Sequence, residues 1–335
     1  MSIQWPGGII TPTPATPTGP YQDGAAPGVW TIDQAAFWVK QGLWPIAGNL
    51  PPPTALFSGS SWSTITINTT GNAVAWGYNM AIASGCGSST RGIFATTQDS
   101  TDIYYVDYAT TGVVNYFGSC IASLRGPASC SNSTRGVIAG GYDISIGYVN
   151  TIQYVTIATT GNSTSFGILL NEINSSSGCA STTRGVYSGG FGSTPGYVNT
   201  IQYITIASTG NATSFGILSN KCRTTSSSSN ATTGIITLGF DNSATVSNVI
   251  EYITIASTGN STNFGQLTVA RRSSAGAASS TRSVIAGGDT TGNGTGITNV
   301  IDYVTIATTG NATSFGSLTA ATSGNAASSN AHGGL

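Results

Sequence analysis

The chain has 335 residues, 45 of them glycine, only 6% charged, and a formal net charge of −1, where an ordinary soluble domain carries about 25% charged residues. Ten Lys and Arg in all cannot neutralise a phosphate track, so nucleic acid is excluded as a partner; no run approaches the roughly 18 apolar residues of a membrane span. With one histidine, His332, and five cysteines whose spacing fits no zinc pattern, no metal, cofactor or catalytic residue is expected.

Residues 1–54 differ in composition from the rest of the chain. MSIQWPGG has neither the basic nor the apolar region of a secretory leader, so none is expected. TPTPATPTGP (11–20) favours extended polyproline conformation. GVWTIDQAAFWVKQGLWP (28–45) reads as a short helix: Thr31 and Gln34 have the spacing of a capping box, and Gly42 and Pro45 end it. Trp5, Trp30, Phe37, Trp38 and Trp44 give the segment aromatic surface that must be buried on something. It either packs on the rest of its own chain or, the sharper reading, anchors the protein in an assembly.

From residue 55 onward the chain repeats. IQYVTIATTGNSTSFG (152–167), IQYITIASTGNATSFG (201–216), IEYITIASTGNSTNFG (250–265) and IDYVTIATTGNATSFG (301–316) are near copies, and DIYYVDYATTGVVNYFG (102–118) and SWSTITINTTGNAVAWG (61–77) are weaker ones. Their turn glycines, Gly71, Gly112, Gly161, Gly210, Gly259 and Gly310, fall 41, 49, 49, 49 and 51 residues apart. A period near 50 suits a four-stranded propeller blade. In each unit a small Ser/Ala-rich strand comes first, then a marker such as TRGVIAGG (134–141), then the alternating YVTIA strand, then ATSFG. The TTGN between the last two reads as a hairpin turn in which Gly and Asn supply positive φ. The first unit opens at its second strand, ALFSGS (55–60), while ATSGNAASSNAHGG (321–334) looks like a missing innermost strand, with His332 in the place of the marker arginine. Joining the two would close the ring and remove its free edges. The expected fold is all-β: a six-bladed propeller over 55–335, preceded by an extended segment with one small helix over 1–54.

The order of features resembles the kelch repeat: an early Arg, a hydrophobic run ending in Gly-Gly, a Tyr in the third strand and an aromatic in the fourth. Arg272, Gly287–Gly288, Tyr303 and Phe315 occupy those places in one unit, and Arg125, Gly140–Gly141, Tyr154 and Phe166 in another. Phe stands where Trp is usual, and Asn174 replaces one early Arg. The GxWxxxxAxxxxxxGxWP element in 1–54 and the YITIATTGNATxFG blades are similar to those of tail-fibre and other virion proteins of marine and cyanobacterial phages. That resemblance implies a virion location, a tail-fibre, tail-tip or baseplate role, attachment to other virion proteins through 1–54, homo-oligomerisation, and a propeller turned toward a host surface glycan or receptor. A capsid-attached fibre or decoration protein and a carbohydrate-binding adhesion module of a bacterial surface are the alternatives.

The loops after the Gly-Gly vary most (YDISIGYVN, FGSTPGYVN, FDNSATVSN, DTTGNGTGITN) and lie on one face. Variable loops on a fixed scaffold mark a binding rim; its candidates are Tyr142, Asp143, Phe191, Phe240, Asp241 and Asp289. The eleven carboxylates are dispersed, and the pair a glycosidase needs would have to be drawn from separate blades, so no enzyme is expected. Arg91, Arg135, Arg184 and Arg282 recur once per unit and read as repeated structural contacts to neighbouring strands. Cys86, Cys130 and Cys179 share a repeat position with Ser228 and Ala277, which marks a small buried residue with no disulfide. Asn162, Asn211, Asn260 and Asn311 form sequons that turn chemistry explains without a glycan.

Overall fold

The computed structural model describes residues 3–5, 8–10, 54–58, 62–77, 82–96, 100–324 and 326–335. The helix expected over 28–45 and residues Trp30, Phe37, Trp38 and Trp44 lie outside these. Ile3–Trp5 pairs antiparallel with Gly8–Ile10, Trp5 opposite Gly8. The chain divides into two units, Met1–Pro52 and Pro53–Leu335.

The second unit is a six-bladed propeller. Blade 1 consists of Thr54–Phe57, Ser63–Thr66 and Val74–Ala75, with Ala327–Ser329 as its innermost strand. Blade 2 runs Ile82–Gly87, Arg91–Thr96, Asp102–Asp107 and Asn115–Ser119. Blade 3 runs Ala128–Ser131, Arg135–Asp143, Gly147–Thr156 and Thr164–Ile168. Blade 4 runs Ser177–Ala180, Arg184–Ser188, Val198–Thr205 and Thr213–Arg223, and Phe240–Asp241 adds a short fifth strand. Blade 5 runs Ser226–Ser229, Thr233–Thr237, Val249–Thr254 and Thr262–Gln266. Blade 6 runs Ala275–Ala278, Arg282–Ala286, Val300–Thr305 and Thr313–Ser317. Among the described residues there is no helix.

The inner strands, such as Arg184–Ser188, are buried on both faces because each blade is sandwiched between two others, so the core is six separate clusters, each at one blade–blade interface. Ala55, Phe57 and Ile67 of blade 1, for example, pack with Ala277, Val284 and Phe315 of blade 6. The motif Tyr and Phe meet edge-to-face in every unit from blade 2 onward, as in Tyr203–Phe215 at 6.1 Å and Tyr303–Phe315 at 6.0 Å, a favoured aromatic geometry.

The turn residues do something the sequence does not announce. Gly161, Gly210, Gly259 and Gly310 are not in the left-handed region, which corrects the positive-φ expectation. They serve the next interface instead. Gly210 N donates to Phe166 O at 2.9 Å, and Gly259 N to Phe215 O at 2.9 Å. The neighbouring Asn side chain completes the clamp: Ile168 N donates to Asn211 Oδ1 and Ile217 N to Asn260 Oδ1, each at 3.1 Å. The strand glycine opposite, Gly167 or Gly216, lies so close to this turn that a Cβ would sit 2.2 or 2.0 Å from its carbonyl oxygen. The sequon asparagines are therefore inter-blade acceptors.

The ring closes by the same chemistry without a covalent link. Ala327 pairs with Phe57 and Ser329 with Ala55. In blade 3, Arg135 N donates to Asn132 Oδ1 at 2.8 Å within one turn; in blade 1, Thr54 N donates to Asn330 Oδ1 at 2.7 Å across 276 residues. Thr54, not His332, thus holds the marker-arginine position. Its pairing with Thr66 matches that of Arg135 with Thr156.

Candidate functional site

The axis of the disc is too narrow to be a ligand site. The innermost strands touch through serine–carbonyl hydrogen bonds: Ser131 Oγ donates to Gly87 O at 2.7 Å, Ser229 Oγ to Ala180 O at 2.7 Å, and Ser329 Oγ to Ala278 O at 2.9 Å. Only small residues permit this approach; a Cβ on Gly178 would lie 2.4 Å from Ser129 O. The axial cavity is ≈ 50 Å³, room for a few waters at about 10–15 Å³ each. The segment His332–Gly334 crosses one end of it. Gly333 N donates to Ser229 O at 2.8 Å, His332 Nε2 donates to Gly87 O at 2.8 Å, and Gly334 packs on Ser131. Gly334 N donates to His332 Nδ1 at 3.1 Å. Desolvation holds this imidazole below its ordinary value, partly offset by the bond to Gly87.

Cys86, Cys130 and Cys179, on innermost strands, sit just outside the axis, each against the next blade. A Cβ on Gly185 would lie 2.5 Å from Cys130 Sγ, and one on Gly234 2.8 Å from Cys179 Sγ. Where the glycine becomes Ser283, the cysteine becomes Ser228, and the two hydroxyls bond at 2.6 Å. All five cysteines are free, and burial pushes the Cys86, Cys130 and Cys179 thiols up to about 12, so they are small core residues and not nucleophiles.

The marker arginines are inter-blade clamps. Arg135 lies 4.6 Å over the Tyr154 ring and donates through Nη1 to Ile206 O and Ala207 O of blade 4, both at 2.9 Å. Arg184 does the same over Tyr203 to Ile255 O and Ala256 O. Arg91 reaches Ile157 O and Ala158 O, and Arg282 reaches Ile67 O. Thr233 interrupts the series in blade 5.

On the opposite face the six rim candidates come together as an arc over blades 3 to 6. Tyr142, Phe191, Phe240 and Asp289 are one repeat position, spaced at 49 residues. Each pairs through the backbone with the residue that leads into its blade's innermost strand: Arg125 with Tyr142, Asn174 with Phe191, Arg223 with Phe240, and Arg272 with Asp289. Left-handed glycines before them, such as Gly189 (φ 64) and Gly190 (φ 124), turn the chain onto this face, a conformation glycine alone adopts freely.

The carboxylates of the arc are held within their own loops. Asp143 Oδ1 accepts from Ser145 N at 2.7 Å, and Asp241 Oδ1 from Ser243 N and Thr245 N, both at 2.9 Å. Asp289, 1% exposed, accepts from Gly294 N at 2.8 Å, Thr291 N at 3.1 Å, Thr291 Oγ1 at 2.9 Å and Arg272 Nε at 3.0 Å. Burial alone would raise its carboxyl, but these donors hold it well below the usual range. Among the described residues no three His, Cys, Asp or Glu converge as a metal site.

Tyr142 and Phe191 form a continuous chain with two tyrosines that the sequence pattern did not single out. Tyr142 meets Tyr148 at 5.1 Å, Tyr148 meets Phe191 at 5.8 Å, and Phe191 meets Tyr197 at 5.0 Å, all edge-to-face. Except for buried Phe240, these rings are half-buried. Arg223 also escapes the sequence pattern, although it stands 49 residues before Arg272. Its guanidinium carbon is 5.0 Å from the Phe191 ring, 5.3 Å from Tyr197 and 5.5 Å from Phe240. No protein-family model matches the chain, and no curated protein matches it. What this arc offers chemically is half-buried aromatic surface, two guanidinium groups packed on rings, Arg223 and, 5.1 Å over Phe240, Arg272, and hydroxyl-rich loops.

Proposed function

We propose that the chain is a kelch-like structural protein of a phage virion, a tail-fibre, tail-tip or baseplate component without enzymatic activity. In this reading residues 1–54 hold it, with Trp5, Trp30, Phe37, Trp38 and Trp44 as contacts to other virion proteins or to further copies of itself, and the loop face over blades 3 to 6 is turned toward the host. The resemblance of the blade and N-terminal motifs to virion proteins supports the location. The observation that carries the binding role is the unbroken chain of half-buried rings across two blades, ending at Arg223. Half-exposed aromatic surface beside polar groups is what recognition sites use, whereas Asp143, Asp241 and Asp289 are each bonded to their own loop backbone and are poorly placed as an acid–base pair.

The test is mass spectrometry of density-purified particles, followed by gold labelling with an antibody against the full chain. The expected result is a stoichiometric component at the tail. Labelling of the capsid would reassign it to a decoration fibre, and its presence on bacterial cells and not on particles would make it a surface adhesion module, ending the virion reading.

A further inference from the structure

The propeller carries its own control for the arginines of this face. Arg272 and Arg223 occupy the same repeat position one blade apart. Arg272 leads into blade 6, where Asp289 is the facing residue, and its Nε donates to Asp289 Oδ2 at 3.0 Å. Arg223 leads into blade 5, where the facing residue is Phe240. The carboxylate is replaced by a ring. Among the described residues no hydrogen-bond or ion-pair partner reaches the Arg223 side chain, and its Nε is buried and unsatisfied. Three rings crowd it instead, at 5.0, 5.3 and 5.5 Å.

We propose that Arg223, with Phe191, Tyr197 and Phe240, is a receptor for the carboxylate of an acidic sugar. This names the ligand class for the outward face argued above and rests on that reading for its setting. A guanidinium flanked by rings loses water from its faces but keeps in-plane donors, and a planar carboxylate is the acceptor that matches such a fork. The Arg272–Asp289 pair shows that chemistry already in use one blade on. The Nε is buried, so it is the Nη donors of this half-buried side chain that face a ligand, and among the described residues they have no acceptor within the protein. The sugar, and not an acidic side chain of a protein, is indicated by what lies alongside. The rings continue away from Arg223 through Tyr148 to Tyr142, half-buried apolar surface against which the apolar faces of sugar rings can pack. The adjoining loops expose Ser145, Ser193, Thr194, Ser243 and Thr245, which can bond hydroxyls. With a net charge of −1 the protein supplies little long-range attraction for a polyanion, so recognition has to come from this local geometry.

The test uses the full chain, immobilised, against polygalacturonate, alginate and polysialic acid, with methyl-esterified polygalacturonate, dextran and poly-glutamate as comparisons. Arg223→Asn removes the cation while keeping a residue that blade 4 already tolerates at this position, Asn174. Phe240→Asp installs the facing carboxylate that Arg272 has. Both are checked for folding by thermal melts. Binding to at least one carboxylated polysaccharide, weakened tenfold or more by esterification, by Arg223→Asn and by Phe240→Asp, is the expected result. The proposal is overturned by equal binding of the ester, by folded Arg223→Asn binding like the parent chain, by binding of poly-glutamate in preference to the sugars, or by no binding to any carboxylated polysaccharide. Presence in particles is read separately, so either reading can fail without the other.

Discussion

Replacing Gly216 by alanine drives a methyl group into the backbone of the neighbouring blade. The added carbon would lie 2.0 Å from Gly259 O, 2.4 Å from its carbonyl carbon and 2.9 Å from Asn260 N. None of these is a side chain that can swing away. To reach even the closest tolerated contact, the outer strand of blade 4 and the turn of blade 5 have to part by about 1 Å, enough to forfeit much of their dispersion contact. Three hydrogen bonds from backbone amides span that gap: Gly259 N to Phe215 O at 2.9 Å, Ser261 N to Ile217 O at 3.1 Å and Ile217 N to Asn260 Oδ1 at 3.1 Å. At about 1 kcal/mol each the loss is roughly 3 kcal/mol, a fall in melting temperature on the order of 6–12 °C for a domain of this size. The partner glycine behaves in the opposite way. A Cβ on Gly259 would meet nothing within 4 Å, and its φ is not left-handed, so Gly259→Ala should stay within about 0.5 kcal/mol of the parent, helped slightly by a less flexible unfolded chain. Urea unfolding and differential scanning calorimetry read both. A harmless Gly216→Ala, or a Gly259→Ala as damaging as Gly216→Ala, would refute the inter-blade account of this motif.

Thr233→Arg should complete the clamp series by stacking on Tyr252 and reaching Ile306 O and Ala307 O; one exposed cation–π contact and a charged hydrogen bond are worth about 1–2 kcal/mol, seen as a higher melting temperature. Arg271 and Asp302 form a fully buried pair at 3.0 Å, so Arg271→Leu should cost about 3–5 kcal/mol. The double change Arg271→Ile with Asp302→Gln copies Ile173 and Gln202 of blade 4 and should recover most of that in a denaturant melt. His332 accepts from Gly334 N through Nδ1, and its proton affinity is depressed in the folded state. Its contribution is therefore complete above the unfolded value of about 6.5 and is lost as pH falls through the lower folded value. Carboxypeptidase release of residues 333–335 should rise between pH 7.5 and 5.5 in the parent and stay flat in His332→Gln.

The blade number and the closing strand were legible because each unit repeats the same burial demands at a fixed period, and six copies in register leave one architecture. What the repeat hid was the destination of its polar residues. Gly210 and Asn211 look like a hairpin turn, yet their partners are Phe166 and Ile168 of the preceding blade, a contact made across 43 residues. Local pattern assigns a turn residue to its own turn. His332 was misplaced for a related reason: spacing aligned it with the marker arginines, but the register of Thr54 with Thr66 gives that position to the other end of the ring. On the loop face, Tyr142, Phe191, Phe240 and Asp289 were found from their position after the glycines. Tyr148 and Tyr197 were not, because they stand on the far side of their own loops, opposite Tyr142 and Phe191, and Arg223 was not, because it reaches the Phe191 and Tyr197 rings from the end of the outer strand of blade 4. The repeat spacing from Arg125 through Asn174 to Arg272 was the available signal for Arg223.

The bond between Asn330 and Thr54 also sets a clock on biosynthesis. Thr54–Phe57 leaves the ribosome about 270 residues ahead of Ala327–Ser329, the strand that pairs with it. At about 5–20 residues per second that interval is roughly 14–54 s. Throughout it blade 1 presents a bare row of amides and carbonyls, the kind of edge that captures strands from other chains. On a polysome, where nascent copies of the same blade lie side by side, the unfilled slot stays open to strands of sister chains until its own Ala327–Ser329 arrives, so slower translation lengthens that exposure.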